Sequence, residues 1–316
     1  MNIGEFGGEV KLIDTLVKKV KKEDVLLGAG DDAAVIKKSK DTYTLVSTEL
    51  FIDDNHFISR ASTPLQIGKK ISEASISDIA AMGGHAKYIL ISAGFRKSLL
   101  ISYVRSIYRG IYSSCSRHNV LLIGGDTIKS SKLVFGVTVI GEVAPKNLKL
   151  RSGAKEGDLI RVTGPLGGSA TGRILLKREF LGHEPVKLMY LEPFCRADLV
   201  DKLVPHVNAM IDVSDGLASE VKHICEKSGV GAEIYLDNIP IDKRVTHAGK
   251  ALRFDVVEAA LYGGEDFELV YTVDPSKEDQ VPGVTVGKIT KDPKIYLVDS
   301  KLDKKEQLQG YGFQHF

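Results

Sequence analysis

Ser75-Ile76-Ser77-Asp78-Ile79-Ala80-Ala81-Met82-Gly83-Gly84 is the stretch on which the reading of this chain turns. Upstream, Thr63-Pro64 supplies an N-cap followed by a proline at the first helical position, where its missing N–H does no harm. The helix this opens runs to about residue 82 and stops at Gly83-Gly84. Asp78 lies in an otherwise apolar part of it. A carboxylate buried there without a partner is unfavourable, so Asp78 requires one, and a metal ion qualifies.

Working outward, residues 9–21 read as an amphipathic helix before the turn Gly28-Ala29-Gly30, and 43–47 as a strand. After the helix come a strand at 87–93, a helix at 99–117, a buried strand at 120–123 and a strand at 133–143. Polar, turn-forming residues at 145–147 and 151–158 place a domain boundary near residue 145. The second half restarts with a strand at 158–163 and a glycine-rich turn, Gly164 to Gly168, that leads into a helix. Helices around 195–204 and 216–228 and strands at 232–236 and 267–273 follow. With β and α segments in both halves, two α+β lobes fit better than one doubly wound sheet.

At 316 residues the chain is long enough for two cores. Its 43 Lys and Arg nearly balance 41 Asp and Glu and are scattered, which argues against a nucleic-acid partner. The opening residues lack the basic start and apolar stretch of a signal peptide, and no apolar run approaches the roughly 20 residues of a membrane span. A cytoplasmic protein with no membrane partner is the expectation. Cys115, Cys195 and Cys225 are odd in number and widely spaced, and read as buried thiols.

The strongest chemical signal is a set of short acidic motifs, each expected at a turn beside a strand or helix end: Gly30-Asp31-Asp32, Ser47-Thr48-Glu49, Ser77-Asp78, Gly124-Gly125-Asp126-Thr127 and Asp212-Val213-Ser214-Asp215-Gly216. Hard oxygen donors without a Cys or His cluster favour Mg2+ and phosphate over zinc. Taken singly, such motifs also serve as caps and turns. The two glycines before Asp126 would let a ligand approach the backbone. Neither a G-x-x-x-x-G-K-[ST] loop nor the protein-kinase motif set occurs. Residues 164–168 could cradle an anion, but a plain strand-to-helix turn is the simpler reading. His56 by itself reads as a surface histidine.

In order and spacing these motifs resemble the thiamine-monophosphate kinase family, within the superfamily of aminoimidazole ribonucleotide synthetase. The match extends from Gly4-Glu5-Phe6 through the motifs above, Arg151-Ser152-Gly153-Ala154 and Gly263-Gly264-Glu265-Asp266-Phe267-Glu268-Leu269 to Gly312-Phe313-Gln314-His315-Phe316. The resemblance implies an α+β, two-lobed aminoimidazole ribonucleotide synthetase-like fold: an N-terminal α/β lobe (1–145) with a mixed sheet that dimerises and carries ATP and Mg2+, and a C-terminal α+β lobe (146–316) that completes the site. It implies ATP-dependent phosphorylation of thiamine monophosphate to thiamine diphosphate in a homodimer. Asp32, Ser47, Thr48, Glu49, Asp78, Asp126, Asp212 and Asp215 match the family's magnesium ligands. Gly125, Asp126, Arg151, Ser214 and Tyr108 match nucleotide contacts, and His56, Glu265 and Phe313 the substrate site. Asp126, Arg151 and Asp212 would carry catalysis. The acceptor phosphate, with a second pKa near 6, is already ionised at neutral pH, so direct in-line transfer needs no strong base.

Two positions depart from the family pattern: Glu49 stands where Asp is usual and Ser75 where Asn is usual. The added methylene of Glu49 displaces its carboxylate, so an altered or slowed activity is the expectation. Aminoimidazole ribonucleotide synthetase chemistry and a non-catalytic nucleotide-binding protein are the competing readings.

Overall fold

The computed structural model describes residues 15–17 and 22–309. The helix expected at 9–21 lies outside them apart from 15–17. The Gly4-Glu5-Phe6 motif and the terminal motif with Phe313 lie wholly outside them.

The first half builds a six-stranded sheet from β1 (Val25–Leu27), β2 (Ala34–Lys37), β3 (Tyr43–Ile52), β4 (His85–Phe95), β5 (Leu121–Lys129) and β6 (Val134–Val143). Its order is β1-β2-β3-β6-β4-β5, antiparallel except for the β4/β5 pair. Period-2 alternation gives this sheet two different faces. In β6, Phe135, Val137, Val139 and Val143 are buried, whereas Val134, Gly136, Thr138 and Ile140 are only half-buried. The buried face packs on α1 (Pro64–Ala81) and α2 (Ile101–His118), around Ile71, Ile79, Ile89 and Ile107. The two helices touch backbone to backbone: a Cβ on Gly68 would lie 2.0 Å from the Ile107 carbonyl oxygen. Thr63 caps α1 as expected, its side chain accepting from Gln66 N–H while Gln66 reaches back to the Thr63 N–H.

The second half builds a seven-stranded sheet from β7 (Leu159–Val162), β8 (Val207–Asp212), β9 (Gly231–Tyr235), β10 (Leu269–Val273), β11 (Val284–Thr290), β12 (Ile295–Asp299) and β13 (Lys304–Gln307). The order is β13-β12-β9-β11-β7-β10-β8. Around it lie α3 (Gly168–Lys177), α4 (Glu184–Leu191), α5 (Val200–Leu203), α6 (Leu217–Ser228), α7 (Lys243–Leu252) and α8 (Val256–Tyr262). Each sheet has its own core, and a third apolar cluster joins them: Ala80 and Ala81 of α1 pack with Leu203, Met210, Leu269 and Tyr271. The last turns of α1 therefore belong to both halves. Among the described residues no helix is long and apolar enough to cross a membrane.

Three local expectations are corrected. The strand expected to be buried at 120–123 is β5, the edge of the sheet, with Leu121 61% and Ile123 54% exposed; only Val120, just before it, is buried. Apolar composition identifies a strand but not its place in the sheet. The helix expected around 195–204 is a 3₁₀ turn at Ala197–Leu199 followed by the single turn of α5. Of the acidic motifs, only those at 30–32 and 213–216 occupy turns; the others lie within β3, α1 and β5.

Candidate active site

Four elements bring carboxylates together. Alternation along β3 turns Ser47 and Glu49 toward α1, which presents Ser75, Ser77 and Asp78. Ser47 Oγ donates to Asp78 Oδ2 and Ser75 Oγ to Glu49 Oε2 at 2.6 Å. Ser77 Oγ donates to Asp212 Oδ2, at the end of β8, also at 2.6 Å. The turn after β1 adds Asp31 and Asp32, both held by Arg151. Its Nη2 donates to Asp32 Oδ1 at 2.5 Å, and its backbone N–H to Asp31 Oδ2 at 3.1 Å. Burial, reinforced by mutual repulsion, makes these groups reluctant to ionise. Asp212 is pushed up to about 8 and Glu49 to about 7, and Asp78 well above the usual carboxylate range. Burial works against the Arg151 charge too, but Asp32 and Asp31 overcome it and its pKa rises. Asp32 Oδ2 is buried with no hydrogen-bond partner.

A partnerless buried oxygen among carboxylates that repel one another is what a hard divalent cation relieves, and the donor set is all oxygen. The residues present therefore fit Mg2+.

The cluster opens into a cavity of about 630 Å³ whose lining includes Thr48, Glu49, Ser214 and Asp215 together with His56, Arg173 and Glu265. Glu220 of α6 sits beneath the turn, where its buried Oε1 accepts from the N–H groups of Ser214 (3.2 Å) and Asp215 (2.8 Å). Glu265 holds a positive φ of 58° and donates its N–H to the Ser214 carbonyl at 2.9 Å, so the two loops are tied. His56 is half-buried and lines the cavity; its Nδ1 accepts from Ile52 N–H at 3.1 Å, which puts the proton of the neutral ring on Nε2. Opposite Glu265 stands the buried Lys70, whose Nζ donates to Glu265 Oε2 at 3.2 Å; burial pushes this lysine down to about 8.

Several expected residues are not gathered here by one chain. Asp126 pairs with Ser92 on β4, and Ser92 with Gly136 on β6, which faces Leu50 on β3. Three strand spacings, about 14 Å, thus separate Asp126 from β3. Asp126 also lies on the open face, opposite to Glu49. A Cβ on Gly125 would lie 1.8 Å from the Ile91 carbonyl oxygen, so the glycine serves strand packing, where ligand approach was expected. Thr48 Oγ1 bonds Thr138 Oγ1 at 3.1 Å on the open face, away from Ser47 and Glu49. Tyr108 lines a separate cavity of about 540 Å³ on the outer side of α2, with Arg105, Arg109 and Tyr112. Phe313 lies outside the described residues.

Two other features turn out to be self-contained. The N-terminus of α3, after the 164–168 turn, is filled by Asp266, which accepts from Gly167 and Ser169 N–H at 2.7 and 2.9 Å. Glu73, His118 and Cys195 bring ligand-type atoms within 4.8 Å of one another. Glu73 already accepts from Arg117, His118 and the Cys195 N–H, so this cluster reads as a tie between the halves. All three cysteines are free and buried, as expected.

Comparison with known proteins agrees with this architecture. The N-terminal and C-terminal domain models described as AIR synthase related protein match residues 30–143 and 155–299. Thiamine-monophosphate kinase of Aquifex aeolicus is 31% identical over 99% of this chain and 98% of its own. That of Bacillus subtilis is 32% identical over 98% and 99%.

The chain belongs to the thiamine-monophosphate kinase family.

The solved structure of AaThiL complexed with AMPPCP and TMP superposes with a TM-score of 0.90 at 29% identity, covering 100% of this chain and 99% of that one. Against the thiamine-monophosphate kinase pattern, the two departures noted in the sequence prove to be neighbours. Ser75 Oγ donates to Glu49 Oε2, so the shorter side chain on α1 faces the longer one on β3.

Proposed function

We propose that this chain transfers the γ-phosphoryl group of ATP to thiamine monophosphate, giving ADP and thiamine diphosphate. The observation that carries the reading is the buried carboxylate cluster reaching, through Glu49, a cavity that His56, Asp215 and Glu265 also line. Asp32, Ser47, Glu49, Asp78 and Asp212 would hold Mg2+, with Asp215 at the cavity wall. Bound there, Mg2+ supplies charge neutralisation for polyphosphate, the chief demand of phosphoryl transfer. Arg151 and Ser214 serve the nucleotide, and His56, Glu265 and Phe313 the acceptor. The acceptor phosphate attacks directly as a dianion, without a phosphoenzyme.

Asp126 and the hydroxyl of Thr48 enter this reading through a homodimer. Supporting it are the half-open sheet face and the apolar residues exposed on or beside it, Leu50, Tyr88, Leu121, Ile123 and Ile128. Such a surface marks an interface. A second copy laid on that face would bring its own Asp126 toward this site, whereas Tyr108, on the outer side of α2, points away from that face. Residues 1–145 and 146–316 then act as the two domains, in a cytoplasmic enzyme.

Release of ADP with ATP and Mg2+ tests the reading, with thiamine monophosphate, thiamine and formylglycinamidine ribonucleotide compared as acceptors. Release is expected with thiamine monophosphate alone. Release with formylglycinamidine ribonucleotide would favour aminoimidazole ribonucleotide synthetase chemistry, and silence with all three a nucleotide-binding protein without turnover.

A further inference from the structure

Lys70 is a deeply enclosed charge, with 3% of its side chain exposed. It lies two turns before Asp78 on α1 and does not line the cavity. A buried ammonium is tolerable only where its donors are satisfied. Nζ donates to Glu265 Oε2 at 3.2 Å and to the Tyr190 carbonyl at 3.0 Å, and the Tyr190 ring faces it at 3.4 Å from the centroid. The hydroxyl of Tyr190 in turn donates to the His56 carbonyl at 3.2 Å. One ammonium therefore holds Glu265 directly and His56 through Tyr190, across α1, α4 and two loops. The Glu265 backbone is pinned as well, by its bond to Ser214.

Resting on the proposed kinase reading, we infer that Lys70 is the positioning residue of the acceptor end: it aims the Glu265 carboxylate at the positively charged heterocycle of the acceptor and fixes the loop that carries His56. Glu265 also contributes to the repulsion on Glu49. Its pairing with Lys70 keeps the two acidic groups in separate roles, one toward an organic cation and the other toward a metal ion.

The test is a double-mutant cycle on binding of thiamine monophosphate, followed by calorimetry, with ATP binding as the control. Lys70→Met is expected to weaken thiamine monophosphate about tenfold to a hundredfold, the scale of a lost charge-assisted hydrogen bond, and to leave ATP within about twofold. Because Lys70 acts in part through Glu265, Lys70→Met combined with Glu265→Gln is expected to lose less than the product of the two single losses. Lys70→Gln, which keeps a donor for the Tyr190 carbonyl, replaces Lys70→Met if that variant fails to fold. Unchanged thiamine monophosphate binding in the lysine variants, independent effects that multiply in the double variant, or an equal loss of ATP would overturn the inference while leaving the kinase reading intact. Failure of the unaltered protein to bind thiamine monophosphate would overturn both.

Discussion

The two ends of the cavity solve opposite electrostatic problems. At one end Asp32, Glu49, Asp78 and Asp212 are buried beside one another, with Arg151 as the nearby cation. At the other, Glu265 is matched by Lys70 within the same chain. On the proposed function the first end takes a cation from outside, whereas the carboxylate at the second is already paired within the chain. Experiments on each should therefore respond differently.

The sharpest way to break the contrast is to neutralise one member of each end. Asp212→Asn is expected to lower kcat/KM about a thousandfold, the scale of losing one stabiliser of developing charge. Above about pH 8, where Asp212 loses its proton, the same change should raise the melting temperature of the metal-free protein, because it removes a buried charge that its acidic neighbours repel. Steady-state kinetics and a thermal melt read both effects, and a variant both slow and less stable would argue that the cluster is not repulsive. At the other end, Glu265→Gln is expected to raise KM for thiamine monophosphate about thirtyfold, the scale of a lost charge-assisted hydrogen bond, with little change in KM for ATP. A loss in both would merge the two ends into one function.

Glu49→Asp sharpens the comparison within the acidic end. Shortening this side chain opposite Ser75 separates two groups now 2.6 Å apart, so activity should fall about tenfold, roughly the loss of a hydrogen bond to a charged group. Adding Ser75→Asn should restore most of it. Improved activity from Glu49→Asp alone would show that the pair is not matched.

The smallest effect concerns pH. Glu49 and Asp212 hold their protons up to about 7 and about 8 when folded, against roughly 4 when unfolded. Between those values the folded chain binds more protons than the unfolded one, so metal-free stability falls as pH rises from about 4 to 8. A Tm that falls steadily over this range is expected in a thermal melt of the metal-free protein. Mg2+ should flatten the slope and stabilise more at pH 8 than at pH 6. A metal-free protein that gains stability over this range would contradict the assignment.

How far the sequence announces these features depends on whether the signal is local. Asp78 announces itself because a charge in an apolar helix demands a partner next to it in space. The capping residues of α1 are equally local. Asp126 is legible as a motif residue but not as a member of any site, because its distance from β3 follows from strand order, which no short stretch encodes. Tyr108 and the exposure of β5 are obscured for the same reason. Lys70 carries a local signal too. It shares a helical face with Ile67, Ile71 and Ala74, all buried, so the 3.6-residue period places it inward. Asp31 stood beside Asp32 in the same motif, and only the fold shows that Arg151 holds both.

On the proposed function the carboxylate cluster serves phosphoryl transfer to thiamine monophosphate. The most direct test is a single turnover with ATP labelled at the γ-phosphate, thiamine monophosphate and enzyme in excess, with and without Mg2+. Label is expected in thiamine diphosphate, only with Mg2+ and never on the protein. Label recovered as a phosphoprotein, or no labelled thiamine diphosphate under either condition, would contradict it.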